Sequence, residues 1–559
     1  MSEQTGQIYP VPALKRRRFP RPDAWSAGAV VIAAVVLMPV VAVLWLALGA
    51  SGNVWPHLLA TTLPRYFANT VVLMVSVGAI TGLVGTGAAW LVSMYRFPGR
   101  GWVQWALLMP LAVPAYVGAY ALVDFLEYAG PVQGALRDAF GWQSPRDYWF
   151  PAVRSRGAAV LVISASLYPY VYLLARAAFR EQSGAGYEVA RALGVGPWGR
   201  FWRLGLPMAR PAIAAGMAVV MMGTVNDFGA VDYFGVQTLT TGIFSLWLQA
   251  GNLGGAAQIA SVMLVLIVLL VTLEKYSRRR SRFFGNARGM RPVTAQPLAG
   301  WRGGLALAAC LLPFGLGFAL PVGVLMTHAL DAAQWAAQWA APGLLRALGH
   351  TLVVGSVAAV LTVLGGVFMV YGVRLGGRRL PTLLLPVTAI GYAAPGAVLG
   401  IGILIPLSHL DNALADGVAA LTGRDPGLIL TGSAAAVVLA YVVRFFAIAQ
   451  GTADAALGRV SPSLPMAARS LGRSAGGVLR AVHVPLMRAS LGSALLLVFV
   501  DAVKELPATL LLRPFNYDTL ATRVHAKASL ENLTEAAPAA LAITMVGLVA
   551  VAFLARANR

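Results

Sequence analysis

The chain alternates long apolar runs with short polar connections. The runs are continuous and lack the in–out alternation of strands, and most reach the about 20 residues that an α-helix needs to cross a hydrocarbon core. The pattern predicts twelve spans, at about 27–50, 67–95, 102–128, 157–179, 209–225, 255–274, 303–327, 350–374, 380–408, 428–450, 487–512 and 537–556. The expected fold is all-α, a polytopic membrane protein. The stretch 226–254 is too polar for a full span and reads as a short re-entrant or surface helix.

Composition agrees. Of 559 residues, 58% are hydrophobic and 11% charged, against about 25% charged in soluble domains. A soluble enzyme, a coiled coil and a disordered chain are excluded. Lys and Arg number 43 against 21 Asp and Glu, a net charge of +22. In a soluble protein that excess would point to nucleic acid. Here it follows the spans, so no nucleic-acid partner is expected. Basic residues gather in alternate connections: Lys15 to Arg21, Arg96 and Arg100, Arg176 to Arg210, Lys275 to Arg302, Arg374 to Arg379, and Arg459 to Arg488. With twelve spans all of these fall on one side, which predicts cytoplasmic N- and C-termini. Residues 1–26 form a basic leading segment followed by a long apolar run without a small-residue cleavage site, which reads as a retained anchor. The lone Cys310 excludes disulfides within the chain and cysteine-based zinc clusters.

The sequence repeats itself. Residues 188–207 read EVARALGVGPWGRFWRLGLP and residues 466–485 read MAARSLGRSAGGVLRAVHVP, an offset of 278. Ala190, Leu193, Gly194 and Pro207 fall on Ala468, Leu471, Gly472 and Pro485, and Asp227 falls on Glu505. At an offset of 281, Arg65, Asn69 and Thr70 match Arg346, His350 and Thr351, Pro114 matches Pro395, and Thr238-Leu239 matches Thr519-Leu520. The expected organisation is a first repeat at 27–274, a basic cytoplasmic linker at 275–302 and a second repeat at 303–559. Six spans per repeat keep the two repeats parallel, related by a pseudo-two-fold axis along the membrane normal.

The best-repeated block lies in a connection, not in a span. Its spacing predicts a short helix, a sharp turn at Gly194 or Gly472 in the left-handed conformation, and a second helix entering the membrane at Pro207 or Pro485. Ala190 and Ala192 are small enough for another protein's surface to approach. The block resembles the EAA loop of binding-protein-dependent ABC importer permeases: Glu-Ala-Ala, three residues, Gly, nine residues, Ile-Xaa-Leu-Pro. The first copy departs at Val189 and Leu204; the second has Met466 where the family has Glu. The resemblance implies that Glu188, Ala190, Gly194, Leu206 and Pro207, with Ala468, Gly472, Val484 and Pro485, belong to two coupling loops. It also implies two ATP-binding cassette subunits and a periplasmic binding protein as partners, in a bacterial inner membrane. ATP and magnesium would sit on the partner subunits, with no cofactor on this chain, which has no phosphate-binding Gly-rich loop of the G-x-x-x-x-G-K type. A transporter subunit, not an enzyme, is expected.

Polar residues near apolar runs mark a candidate pathway: Asn226, Asp227, Asp232, Lys504 and Glu505. Segments 226–247 and 504–525 look like those of fused iron(III) ABC importer permeases, and about 30–556 fits that organisation. Ferric ion prefers oxygen ligands, which Asp227, Asp232, Tyr233, Glu505 and Tyr517 could offer. A path must release its cargo, so no metal site is assigned. Thiamine, polyamine and phosphonate permeases of the same class remain alternatives, as does a twelve-helix secondary transporter.

Overall fold

The structure, a computed structural model, describes residues 24–49, 55–279, 293–330, 339–376, 379–388 and 394–557. The basic stretch Lys15 to Arg21, Arg378 and residues 280–292 of the expected linker lie outside them.

The described chain is a succession of helices that runs through one order twice. The first pass contains α1 (Ala24–Leu48), α2 (Leu63–Met94), α3 (Ala115–Leu126), α4 (Arg156–Arg180), α5 (Gly184–Ala192), α6 (Leu206–Asn226), α7 (Gly229–Tyr233), α8 (Leu239–Phe244) and α9 (Leu253–Arg279). The second contains α10 (Gly300–Phe314), which runs on into α11 (Leu320–Ala329), then α12 (Pro342–Gly376), α13 (Gly396–Thr422), α14 (Ala435–Gly458), α15 (Ser463–Ser470), α16 (Val484–Val503), α17 (Pro507–Leu512), α18 (Leu520–Ala528) and α19 (Leu533–Ala557). Among the described residues, 11 helices are long and apolar enough to cross a membrane, or 12 if one bent pair counts as a span.

That bent pair corrects the third expected span, 102–128. Its two arms, Arg100–Ala112 and Ala115–Phe140, meet at 96°. Pro110 and Pro114 withdraw two backbone donors there, and Val113 and Pro114 are extended. The ninth expected span, 380–408, is likewise two elements, Arg379–Thr388 and α13; α13 starts after Pro395, the counterpart of Pro114, and runs on to Thr422. The tenth begins later than expected, at Ala435. The eleventh, 487–512, ends at Val503, where the charged Lys504-Glu505 and then Pro507 interrupt the helix. The short-helix element expected only in 226–254 therefore occurs twice, as α7–α8 and as α17–α18.

Each pass builds the same three-helix bundle: α2, α4 and α6 in the first, α12, α14 and α16 in the second. Small residues let the backbones meet, as in other membrane bundles. A Cβ on Gly85 would lie 2.8 Å from Val171 Cβ and 2.9 Å from Tyr168 O, and one on Gly216 would lie 2.9 Å from Val171 Cα. In the second bundle Gly366 repeats the crossing, 3.0 Å from the backbone of Ala449 and Gln450.

The motifs matched at an offset of 281 meet in space. Thr70 Oγ1 accepts from Leu239 N at 3.0 Å, and Thr351 Oγ1 from Leu520 N at 2.8 Å. Asn69 Nδ2 donates to Gln237 O at 2.8 Å, and His350 Nδ1 to Asp518 O at 3.0 Å. Thr238 and Thr519 each open their helix with a reciprocal capping box. The shared residues thus pin α8 to α2 and α18 to α12.

The first helix of each pass crosses over. α1 packs on α12 and α13 as well as on α9, and α11 packs on α3 as well as on α19. Before α10 the chain pairs Gln296–Pro297 in parallel with Tyr95–Arg96 of the first pass.

Candidate functional site

Two features stand out: the pair of repeated loops at one end of the bundles, and a charged cavity between the two passes.

In the first loop α5 ends in a left-handed Gly194, φ 75°, with Val195 N donating to Ala190 O at 2.9 Å. The second loop repeats this after α15, with Gly472 at φ 80° and Arg473 N donating to Ala468 O at 3.1 Å. After each turn a short helix passes through a π-turn, Phe201–Gly205 or Leu479–His483, into α6 or α16. The π-turn suits Pro207 and Pro485, whose missing N–H would leave a gap in a regular α ladder. The helix, the left-handed turn and the second helix read from the sequence are all present.

The loops present a defined outer face. Glu188, Val189, Ala192, Leu193 and Gly194 are exposed, as are Met466, Leu471, Gly472, Val484 and Pro485. Ala190 is buried, Ala468 and Leu206 are half-buried, and Pro207 is exposed. Ala190 therefore faces its own protein, and of the two small residues only Ala192 is available to a partner. The first loop is locked more firmly than the second. Trp90 sits among Phe179, Tyr187 and Phe201 at ring separations of 5.3, 6.1 and 5.1 Å. Gln182 links this cage to the π-turn by bonding the Tyr187 hydroxyl and Gly205 O. In the second pass Tyr371 stands where Trp90 does, with its hydroxyl on Ala475 O at 2.7 Å and His483 beside it.

α6 and α16 lead from the loops to the cavity, of about 210 Å³. Its lining includes Gly223, Asn226, Asp227, Phe228 and Gly229, and their counterparts at an offset of 278: Asp501, Lys504, Glu505, Leu506 and Pro507. Ser166 and Arg444, at the same offset, both line it as well. The cavity thus straddles the relation between the two passes. Asn226, Asp227, Lys504 and Glu505 come together here, whereas Asp232 lies in a separate cleft with Tyr66, Gln237 and Gln249. Tyr517 stacks on His350 instead, at 3.8 Å.

Among the described residues, five charged ones line the cavity. Asp227 Oδ1 accepts from Ala230 N at 2.9 Å and Val231 N at 3.2 Å. Glu505 is 5% exposed and pairs with Arg444 Nε at 3.0 Å. Lys504 Nζ reaches Asp501 at 3.3 Å and Leu111 O at 3.1 Å. Lys504 and Glu505 are therefore not each other's partners. Three buried polar atoms at the wall have no hydrogen-bond partner among the described residues: Asn226 Oδ1, Tyr116 OH and Arg444 Nη1. Arg444 and Tyr116 are absent from the residues singled out in the sequence, whereas the charge of Asp501 beside the eleventh apolar run is visible there. For Arg444 a signal existed, a lone cation within the apolar run YVVRFF at 441–446.

Space continues toward the loops as a mainly apolar cavity of about 680 Å³. On the other side rings close in: Phe228 stacks on Phe244 at 3.8 Å, and Tyr120 meets His525 Nδ1 at 3.0 Å. Farther out Arg154 ties Glu127 at 3.0 Å to Glu531 at 2.6 Å, and His328 binds Asp124 at 2.9 Å. Both ties join the two passes.

Residues 81–283 match the family described as binding-protein-dependent transport system inner membrane component. The Fe(3+)-transport system permease protein FbpB 2 of Haemophilus influenzae is 25% identical over 488 residues, 86% of this chain and 87% of that protein. The chain resembles the fused ABC importer permeases along most of its length. The molybdenum transport system permease protein ModB of Escherichia coli is 29% identical over 203 residues, 85% of ModB but 34% of this permease. The sulfate transport system permease protein CysT of Escherichia coli is 29% identical over 213 residues, 71% of CysT and 36% of this permease. The permease therefore compares along most of its length with a protein of similar size, and over about a third of its length with these two. It is a multi-pass inner-membrane protein and a transporter subunit.

Proposed function

We propose that this permease forms the path of an ATP-driven importer that moves iron(III), handed over by a periplasmic binding protein, into the cytoplasm by alternating access. The doubled loop carries the reading. Two copies of one helix–turn–helix element, each continuous with a helix that reaches the cavity, suit two separate ATP-binding cassette subunits. Glu188, Ala192, Leu193 and Gly194 form one contact face, and Met466, Leu471, Gly472, Val484 and Pro485 the other. Ala190, Leu206 and Ala468 set the loop's shape behind it, and the exposed Pro207 opens α6. ATP and magnesium bind to the partners. The loops, with both termini, face the cytoplasm, and the repeats run parallel as 27–274 and 303–559. On this reading the cavity opens toward the cytoplasm and its periplasmic end is barred by Phe228, stacked on Phe244, and by Tyr120 with His525.

For the cargo, Asp227, Asp501 and Glu505 offer hard oxygen donors within one cavity, and the similarity to FbpB 2 spans both repeats. The deciding experiment reconstitutes the permease with its ATPase in vesicles and adds the cognate binding protein. ATP-dependent uptake of radioactive ferric iron, with no uptake of molybdate or sulfate, is expected. Uptake of either oxyanion in place of iron would refute the cargo; uptake driven by an ion gradient without ATP would refute the importer.

A further inference from the structure

The cavity's charges are unevenly shared. At the paired positions the first repeat contributes Ser166 and Asn226 where the second contributes Arg444 and Lys504, so both cations come from one side. Each cation sits on a carboxylate: Arg444 on Glu505 at 3.0 Å, Lys504 on Asp501 at 3.3 Å. Asp227 has backbone amides instead. Three carboxylates lining one cavity of about 210 Å³ would, without such partners, attract a hard multivalent cation, although among the described residues no three of them stand close enough together to form a ready metal site. A transport path must avoid that, because cargo held tightly is not released. At the cavity wall Arg444 also keeps one buried nitrogen, Nη1, without a partner among the described residues. A guanidinium serving only as structural glue would be expected to use both of its edges.

We infer that Arg444 and Lys504 are tethered counter-cations, which occupy Glu505 and Asp501 so that the cavity does not retain a multivalent cation on its way through. The inference rests on the cation-import reading above. A cargo ion exchanges with the side-chain cations as it passes, and they return to their carboxylates when it leaves.

The test uses the permease–ATPase complex in lipid nanodiscs, exposed to gallium(III) citrate, washed, and assayed by mass spectrometry for retained gallium. Gallium(III) carries the charge of ferric iron without its redox chemistry. Arg444→Gln is expected to retain at least about tenfold more gallium than the wild type, the scale set by freeing one charged group of its partner. The same variant should slow iron uptake per assembled complex. Arg444→Lys should return retention to the wild-type level, as should the double variant Arg444→Gln/Glu505→Gln, which removes the freed carboxylate as well. A structural role alone would lower the yield of complex without raising retention. Arg444→Gln retaining no more gallium than the wild type would overturn the inference. If that variant fails to assemble, Lys504→Gln carries the same comparison through Asp501, and no rise there overturns it equally. The cargo reading is read separately: absent iron uptake by the wild type, alongside raised gallium retention in the variants, refutes iron as cargo and leaves the counter-cations standing.

Discussion

The crossing of α2 and α4 lies on the route from the first loop to the cavity, since α4 leads into the loop and α6 out of it. Gly85→Ala tests how tightly that route is built. The added Cβ would lie 2.8 Å from Val171 Cβ, 2.9 Å from Tyr168 O and 2.9 Å from Tyr172 N, where ordinary contact begins at 3.4 Å. Two of these neighbours are backbone atoms, so no side chain can rotate away and the helices must part by about half an ångström or more, an overpacking cost of about 1–3 kcal/mol. Alanine also favours the helix over glycine by up to about 1 kcal/mol. Gly87→Ala, on the same helix with nothing within 4 Å, carries that gain alone. The difference between the two variants isolates the crossing, about 1–3 kcal/mol against Gly85→Ala. Gly366→Ala, with contacts at 3.0, 3.0 and 3.1 Å, should lose less than Gly85→Ala. Thermal unfolding of the purified permease in one detergent ranks the three, and ATP-dependent uptake should fall for Gly85→Ala first. Gly85→Ala unfolding no earlier than Gly87→Ala would refute the reasoning.

Other expectations are direct. Gly194→Ala and Gly472→Ala meet open space but place a side chain in the left-handed region. Each should cost about 1–2 kcal/mol locally and weaken ATPase binding, measured by co-purification; unchanged co-purification in both would count against the loops as docking elements. Thr70→Val and Thr351→Val each leave a buried backbone N–H without its acceptor, Leu239 N or Leu520 N. Comparable losses of about 1–3 kcal/mol are expected, adding in the double variant; a neutral result at either site would contradict the pins. Asp411 is fully buried and accepts from the amides of Ile429, Leu430 and Thr431 and from the Thr431 hydroxyl. Asp411→Asn should therefore expose the 423–434 connection to proteolysis, and unchanged cleavage would sink that assignment. Arg154→Gln removes partly exposed ties to Glu127 and Glu531. It should cost under about 1 kcal/mol of stability yet lengthen the distance between spin labels placed beside those two residues, with both carboxylates kept, and an unchanged distance distribution would refute a tie between the repeats there.

Much of this architecture could be read from the sequence because the chain states it twice. Thr70 and Leu239, 169 positions apart, recur as Thr351 and Leu520, and they recur because they bond each other. The left-handed glycines were legible for a different reason: few other residues tolerate that backbone in a helix-ending turn. Hydropathy failed where it averages over a break. Pro110 and Pro114 sit within an apolar run, so 102–128 scores as one span although its geometry turns through 96°. Similarly, 487–512 stays apolar enough to hide the interruption at Lys504 to Leu506. Arg444 was visible as an anomaly but not as a cavity residue, because its partner Glu505 is 61 positions away in sequence with no repeated counterpart to mark it. The crossing of α1 and α11 onto the opposite repeat leaves no periodic trace, since an apolar helix surface does not announce which neighbour it covers.

That crossing changes what a rocking motion can be. Each repeat wears a strap from the other, so neither can swing outward on its own without dragging a strap across its neighbour's flank. Under the proposed coupling, movement started at the loops would slide the two bodies past one another in a matched pair, like interlocked fingers. A blow to one side alone would be shared by both.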